Sequence, residues 1–473
     1  MSYFVDQNDF KIIPSSPVAY WCPHGLLKAF RSSTTIDHIA PPRIGMMTSD
    51  NERFLRGWQE LGIPKIGFDF CDTEQAISSD AKWFPYKKGG VFRKWYGNNE
   101  LVVNWQHGGE EIIAAGMTSF RGKDFYFREG LSWSFVSSLA FSCRFTPPGF
   151  IFDIQGSSCF PAEIDRGLVT SLLNSVVGEY ILKLLNPTLS YQSGDIRRIP
   201  IVTTLNEHRS YLNDVCSILI EYGQVDWDSF ERSWGFKNNP LIVGWVSDSV
   251  TQQTEAIDAG LRDETANPTY KLSNIYADWQ TQNRQTIAEM QRLEQENNRL
   301  FIDAYGLQDE DEIKPDVPLE QITLTVNPKY RYGGNLADEE LAQRFQSDTL
   351  AELISYAIGC MMGRYRLDKP GLIFAHEGNV DFDNIYNGNT NSSFLITNPF
   401  VADDDGIIPL TDQEWFKDDA TNRFRDFVRT VWGEENLPLN LDFVAESLCL
   451  SALKPKKSES SLETIRRYLS PIL

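Results

Sequence analysis

An amphipathic run from Leu168 to Leu185, cut off by Pro187, divides this chain into two parts that cannot fold alike. Leu168, Leu172, Leu173, Val176, Val177, Tyr180, Ile181, Leu184 and Leu185 recur at helical spacing, so one face is apolar and needs a core to cover it. Asp165 is placed to cap the helix, and Pro187 offers no amide to a further turn. Before this run the chain is dense in Gly, Pro and aromatic residues, with short strand-like pieces at 100–105 (ELVVNW), 123–130 (KDFYFREG) and 149–154 (GFIFDI). After it, 190–201 reads as a turn, a short strand and an exit, and 202–305 reads as mainly helical. A long helix over 274–305 meets Gly306 where a helix would end. The acidic run 309–312, with Pro315 and Pro318, predicts a linker before a strand at 321–326. A helix at 338–363 opens the last region, which closes on an amphipathic helix carrying Leu462, Ile465, Leu469 and Ile472. The expected class is α+β: a mixed α/β domain over 1–201, a helical spacer with an acidic linker over 202–335, and an α-rich domain over 336–473. A length of 473 residues exceeds one ordinary core and agrees with several domains.

Composition excludes some chemistry. No apolar run approaches the roughly 20 residues of a membrane span, so no membrane partner is expected. The seven cysteines are odd in number and scattered, which predicts reduced thiols and a cytoplasmic setting. Neither CxxC nor HExxH occurs, so no metal site is expected. DWDSFERSW at 226–234 suggests a helix start with acids near its positive end rather than an active site, and Asp403, Asp404 and Asp405 lack the ligand spacing of an EF-hand. The net charge of −21 argues against a nucleic-acid partner until its distribution is followed: residues 1–200 are charge-balanced, so the whole deficit falls after them.

Within that balanced part, residues 82–96 (KWFPYKKGGVFRKWY) carry Lys82, Lys87, Lys88, Arg93 and Lys94 among six aromatic residues and no acid. Cations neutralise phosphates and flat rings stack on bases, so the stretch suits a surface lying along nucleic acid. A β-hairpin with its aromatics in the core and its lysines in water produces the same string.

Several strings then fall into one order: IPSSPVAYW (13–21), PPRIGMMTSDNERFLR (41–56), KWFPYKKGGVFRKWYGNN (82–99), LLNSVVGEYILKLLNPT (172–188), GDIRRIPI (194–201), DWDSFERSWGF (226–236), NNRLFIDAYGLQDE (297–310) and SYAIGCMMGRYRLDKPGLIF (355–374). Together they resemble the PglX family, adenine-specific DNA methyltransferases of BREX phage-exclusion systems, in the middle and later part of that longer protein. The resemblance implies that residues 1–201 are a target-recognition domain for double-stranded DNA. It implies partners in a methyltransferase domain or other defence-complex proteins, and S-adenosyl-L-methionine as cofactor of the complete enzyme. No cofactor is expected in this chain. A flipped adenine needs an Asn or Asp acceptor, two prolines and an aromatic ring, and the chain has only APPR at 40–43 and TPPG at 146–149. No two glycines are separated by a single residue, so the cofactor's glycine loop is lacking and no catalytic residue is assigned.

Under the resemblance, Lys87, Lys88, Arg93 and Lys94 are expected at phosphates or in a groove, Tyr86, Trp95 and Tyr96 on bases, and Asn98 at an adenine edge. Arg43, Thr48, Asp50, Asn51 and Arg53 match a DNA-proximal loop of the family, while Ser49 or Asp50 would equally cap a helix there. Arg197 and Arg198 are weaker candidates. The competing function is a non-catalytic protein-interaction module of a defence complex, with a nuclease the poorest fit.

Overall fold

The strand-forming pieces of the first 160 residues assemble into small sheets rather than one large one. In this computed structural model, which describes residues 11–471 apart from 15–16, 18, 117–119, 138, 243–270, 377–380, 388–399 and 405, the strands are β1 (Thr34–Thr35), β2 (Leu55–Gly57), β3 (Trp83–Lys87), β4 (Leu101–Asn104), β5 (Gly130–Trp133), β6 (Cys143–Thr146), β7 (Ile151–Phe152), β8 (Ser158–Cys159) and β9 (Pro200–Ile201). One sheet runs β2-β4-β3-β7, antiparallel except that β7 lies parallel to β3 with Tyr86 opposite Ile151. A second runs β6-β5-β8, and β1 pairs with β9. The pieces at 100–105 and 149–154 contain β4 and β7. The piece at 123–130 does not form a strand. Lys123–Phe125 is a 3-10 turn entered through Gly122 at a φ of +73°, and Tyr126 and Phe127 spend their rings on the core of the first sheet.

Helices follow: α1 (His24–Ser32), α2 (Glu163–Leu173), α3 (Val176–Leu185), α4 (Arg209–Asp228), α5 (Leu272–Tyr305), α6 (Asp338–Met361), α7 (Ala420–Trp432), α8 (Leu437–Ser451) and α9 (Ser461–Leu469). The periodic run at 168–185 is thus two helices, α2 and α3, bent by 73°. Side chains make the break. Asn174 turns away to bond both backbone groups of Cys143 (2.9 and 3.0 Å), and Ser175 starts a new helix by accepting from the amide of Gly178. Asp165 does not cap α2, which starts after Ala162; it pairs with Arg209 instead. DWDSFERSW opens no helix either, because α4 ends at Asp228. Residues 321–326 form no ladder: Gln321 closes the 3-10 turn Leu319–Gln321, and 325–326 lie in a further turn. No single helix among the described residues is long and apolar enough to cross a membrane.

Two compact units result, the first from 1–227 and 286–325, the second from 228–285 and 326–473. They cut across the expected boundaries at 201 and 335, because most of α4 and the C-terminal part of α5 supply walls to the first unit. That unit has two cores. Phe54, Phe84, Tyr86, Trp105, Phe127 and Phe152 fill one against the four-stranded sheet; Leu131, Trp133, Cys143, Leu168, Ile181 and Phe301 fill the other between the three-stranded sheet and the helices. The second unit packs α6, α7, α8 and α9 around Leu353, Ile354, Phe427, Leu441, Leu448 and Ile465, and Arg466 fixes α9 through two bonds to Asp419 (2.6 and 2.8 Å). Leu462, Ile465 and Leu469 lie on α9 as expected; Ile472 and Asp405 lie outside the described residues.

Candidate nucleic-acid interface

The basic-aromatic string enters the first unit as a strand and turns on two glycines. Trp83, Phe84 and Tyr86 have the side chains that fit a pleated, covered surface, and all five residues of β3 are buried. Gly89 and Gly90 then take φ values of +88° and +132°, and a Cβ at Gly89 would stand 2.9 Å from the carbonyl oxygen of Gln155, so this turn admits little else.

Beyond the turn the chain dives inward. Arg93 is 1% exposed and donates to Asp226 Oδ2 (2.7 Å), the Tyr96 carbonyl (2.7 Å) and Thr325 Oγ1 (3.0 Å), with its guanidinium over the Trp227 ring. Asp226 Oδ2 also accepts from the Thr325 amide (2.8 Å). Lys94 pairs with Glu294, whose other oxygen accepts from Trp95 Nε1 (2.7 Å). Lys87 donates to the Gly97 carbonyl (3.0 Å) and to Asn99 Oδ1. Tyr86 donates to Asp153 Oδ2 (2.6 Å), and Tyr96 is buried. Six side chains expected at DNA (Tyr86, Lys87, Arg93, Lys94, Trp95 and Tyr96) are therefore directed into the protein. The hairpin alternative holds in part: β3 pairs antiparallel with β4, its aromatics are in the core and Lys82 and Lys88 are half-buried, but Lys87 and Lys94 are buried rather than in water. Lone buried cations are costly, so α4 and α5 bring carboxylates to meet two of them.

Among the described residues, Lys87 receives no carboxylate. Burial strips water from its ammonium, and the charges of Arg144 and Arg93 repel it, so its pKa lies well below the usual lysine range. An unfolded chain keeps that proton up to about 10.5 while the folded one releases it earlier, so the unfolded state binds more protons in between and stability rises with pH. Lys87→Met removes the titration. In urea unfolding from neutral pH towards pH ~10, wild type should gain stability relative to this variant. Parallel curves would mean that Lys87 stays charged in the fold.

Of the remaining candidates, all but Arg43 and the weaker Arg197 and Arg198 lie on the loop 47–53 or around the turn at 88–91 that it meets. Asp50 caps the short helix Asn51–Phe54 by accepting from the Arg53 amide (3.1 Å), as expected from the sequence. Thr48 is buried and donates to Asn51 Oδ1 (2.6 Å), and Lys88 Nζ reaches the same oxygen at 2.9 Å. Lys88 also lies 3.4 Å from Asp153, which is held by Tyr86 and by the Gln155 amide (2.7 Å). Arg53 is exposed beside the Phe54 ring; half-buried Arg43 rests over Phe125 while its backbone bridges to Ser158. Asn98, at a φ of +55°, spends its amide on the Val91 carbonyl (2.9 Å). Exposed Met47 and Val91 complete this surface. Neither these two nor the internal partners Glu294, Thr325 and Asp153 are marked by a local pattern; Asp226 opens the DWDSFERSW string, which does not foretell its pairing with Arg93. Arg197 pairs with Asp37 (3.5 Å), and Asp403 turns its carboxylate onto the Gly406 amide (3.0 Å). No group of metal-ligating side chains occurs among the described residues.

No family model matches the chain. The adenine-specific methyltransferase BrxX of Escherichia coli O9:H4 (strain HS) is 39% identical to it over 468 residues, 98% of this chain and 35% of that protein. The adenine-specific methyltransferase PglX of Lacticaseibacillus casei (strain Zhang) is 34% identical over 482 residues, 99% of this chain and 35% of that protein. The chain spans about a third of the length of the curated relatives it matches.

Proposed function

We propose that this chain, a homologue of PglX-type adenine-specific methyltransferases over nearly its whole length, holds duplex DNA and reads its target site, while methyl transfer from S-adenosylmethionine belongs to sequence outside it. The observation that carries this reading is the junction of Asn51 with Lys88. Two loops distant in sequence meet there on the charge-balanced part of the chain. With Arg53 on the same loop as Asn51 and Arg43 earlier in the chain, they offer cations and amide groups from a buried frame, which is how a DNA reader separates positioning contacts from base contacts. Neither Pro-Pro pair carries the acceptor or the aromatic ring that a methylated adenine needs, which supports placing the reacting base outside this chain. The surface contacts belong to Lys88, Arg53, Arg43 and Asn51. The six inward side chains form the frame beneath them.

A second reading has its own support in the second unit. Trp415 and Phe416 are exposed on the stretch that carries Asp412, Glu414 and Asp418, which suits a basic, apolar protein partner in the defence complex.

Salt titration separates the two. DNA binding by the purified chain should weaken steeply with salt, and Lys88→Ala, Arg53→Ala and Arg43→Ala should each flatten the log-affinity against log-salt slope by about 1. Slopes that stay at the wild-type value in all three variants would remove this surface from the DNA and favour the second reading.

A further inference from the structure

Asn51 has an amide whose orientation the surroundings dictate. Lysine has no acceptor, so the atom 2.9 Å from Lys88 Nζ must be the Asn51 oxygen and not its nitrogen. Thr48 Oγ1, 2.6 Å from that same oxygen, is then a donor to it. Both lone pairs of Oδ1 are thereby occupied. The donors are themselves fixed, Thr48 by burial and Lys88 by Asp153, which Tyr86 and the Gln155 amide hold in turn. The residue is exposed, and among the described residues no acceptor lies within hydrogen-bonding reach of its Nδ2.

An asparagine that reads adenine in the major groove needs both ends of its amide, Nδ2 donating to N7 and Oδ1 accepting from the N6 amino group. Asn51 has only the first end to give. Guanine shows two neighbouring acceptors, N7 and O6; thymine shows one beside a methyl group; cytosine shows a donor. We propose that Asn51 determines one position of the DNA site as a donor-only reader, selecting guanine and rejecting adenine. The assignment rests on the DNA-reading function proposed above and adds to it the base and the atom. Thr48 is a positioning residue: its hydroxyl withholds the oxygen that would otherwise make Asn51 an adenine reader.

The test is selection of a randomised duplex library by the purified chain, followed by sequencing, with wild type, N51D and T48V in parallel. Wild type should enrich a motif in which one position favours guanine over adenine by about tenfold. N51D replaces the free donor with an acceptor and should abolish that preference at that position alone. T48V returns a lone pair to Oδ1 and should raise adenine there, which a purely structural role for Thr48 would not do. N51A, a truncation at an exposed site, should also lose the guanine preference and stands in should N51D fold poorly. A wild-type motif that N51D, N51A and T48V all leave unchanged would overturn the role of Asn51 and leave the DNA-reading function standing. Wild type that captures duplexes without any sequence preference would overturn both.

Discussion

Asp226→Ala should lower the unfolding free energy of the first unit by about 3–5 kcal/mol, the cost of leaving a buried charge without its partner. The side chains of Arg93 and Asp226 are 1% and 3% exposed, so neither can fall back on water. The loss is compound. The same carboxylate oxygen holds the Thr325 amide, and once it is gone both a guanidinium and a backbone donor are stranded. Urea unfolding followed by tryptophan fluorescence is the measurement, with Trp227 under the Arg93 guanidinium as a local reporter. Replacing both partners, Arg93→Met with Asp226→Leu, should recover the part of the loss due to the unpaired guanidinium, since an apolar pair removes two desolvation costs at once, but not the part due to the Thr325 amide, which still lacks this acceptor. A single variant that costs less than about 1 kcal/mol would mean that solvent reaches this pair, as it reaches surface ion pairs.

A larger change is expected in cells. Supplying the S-adenosylmethionine-binding part of a PglX-type relative, fused to this chain or expressed beside it, should produce adenine methylation at a motif that follows this chain, whereas the chain alone should produce none. The catalytic part flips and methylates whichever adenine is delivered; groove contacts decide which site is held long enough for that to happen. Methylome sequencing reads the result. Arg53→Ala should lower methylation at all sites alike, Lys88→Ala should lower it and also admit adenine at the Asn51 position because it frees the same oxygen, and N51D should relax one base of the motif. An associated, folded pair that methylates nothing, or whose motif follows the donor of the catalytic part, would end the proposal that this chain reads the site.

Much of the helical architecture was legible because its causes are local. The 274–305 pattern and Gly306 locate α5 to within two residues, and the 338–363 pattern locates α6 as closely. The 168–185 run was harder. Its periodicity continues through the break because both helices face one core, and the residue that divides them, Asn174, is recruited by a backbone 31 positions away. The basic-aromatic string failed as a surface for the same reason at greater range. The partners that draw Arg93 and Lys94 inward, Asp226 and Glu294, lie 133 and 200 residues downstream in the acidic part of the chain. Nothing in KWFPYKKGGVFRKWY shows that carboxylates will arrive from elsewhere. The cap at Asp50, by contrast, needs only residues 50 to 53, and it is found where the sequence suggests.

The tip at 89–91 hangs from its backbone alone. Ser134 donates to the Gly90 carbonyl and Asn98 to the Val91 carbonyl, so the path of the turn is set by atoms every residue possesses, while the Val91 side chain, 69% exposed, anchors nothing among these bonds. Position 91 can accordingly change its chemistry for about half a kcal/mol or less of stability. A molecule built this way separates what must be inherited intact, the glycines and their two clasps, from what is open to revision. One codon can give the surface a new character without a second codon having to repair the fold.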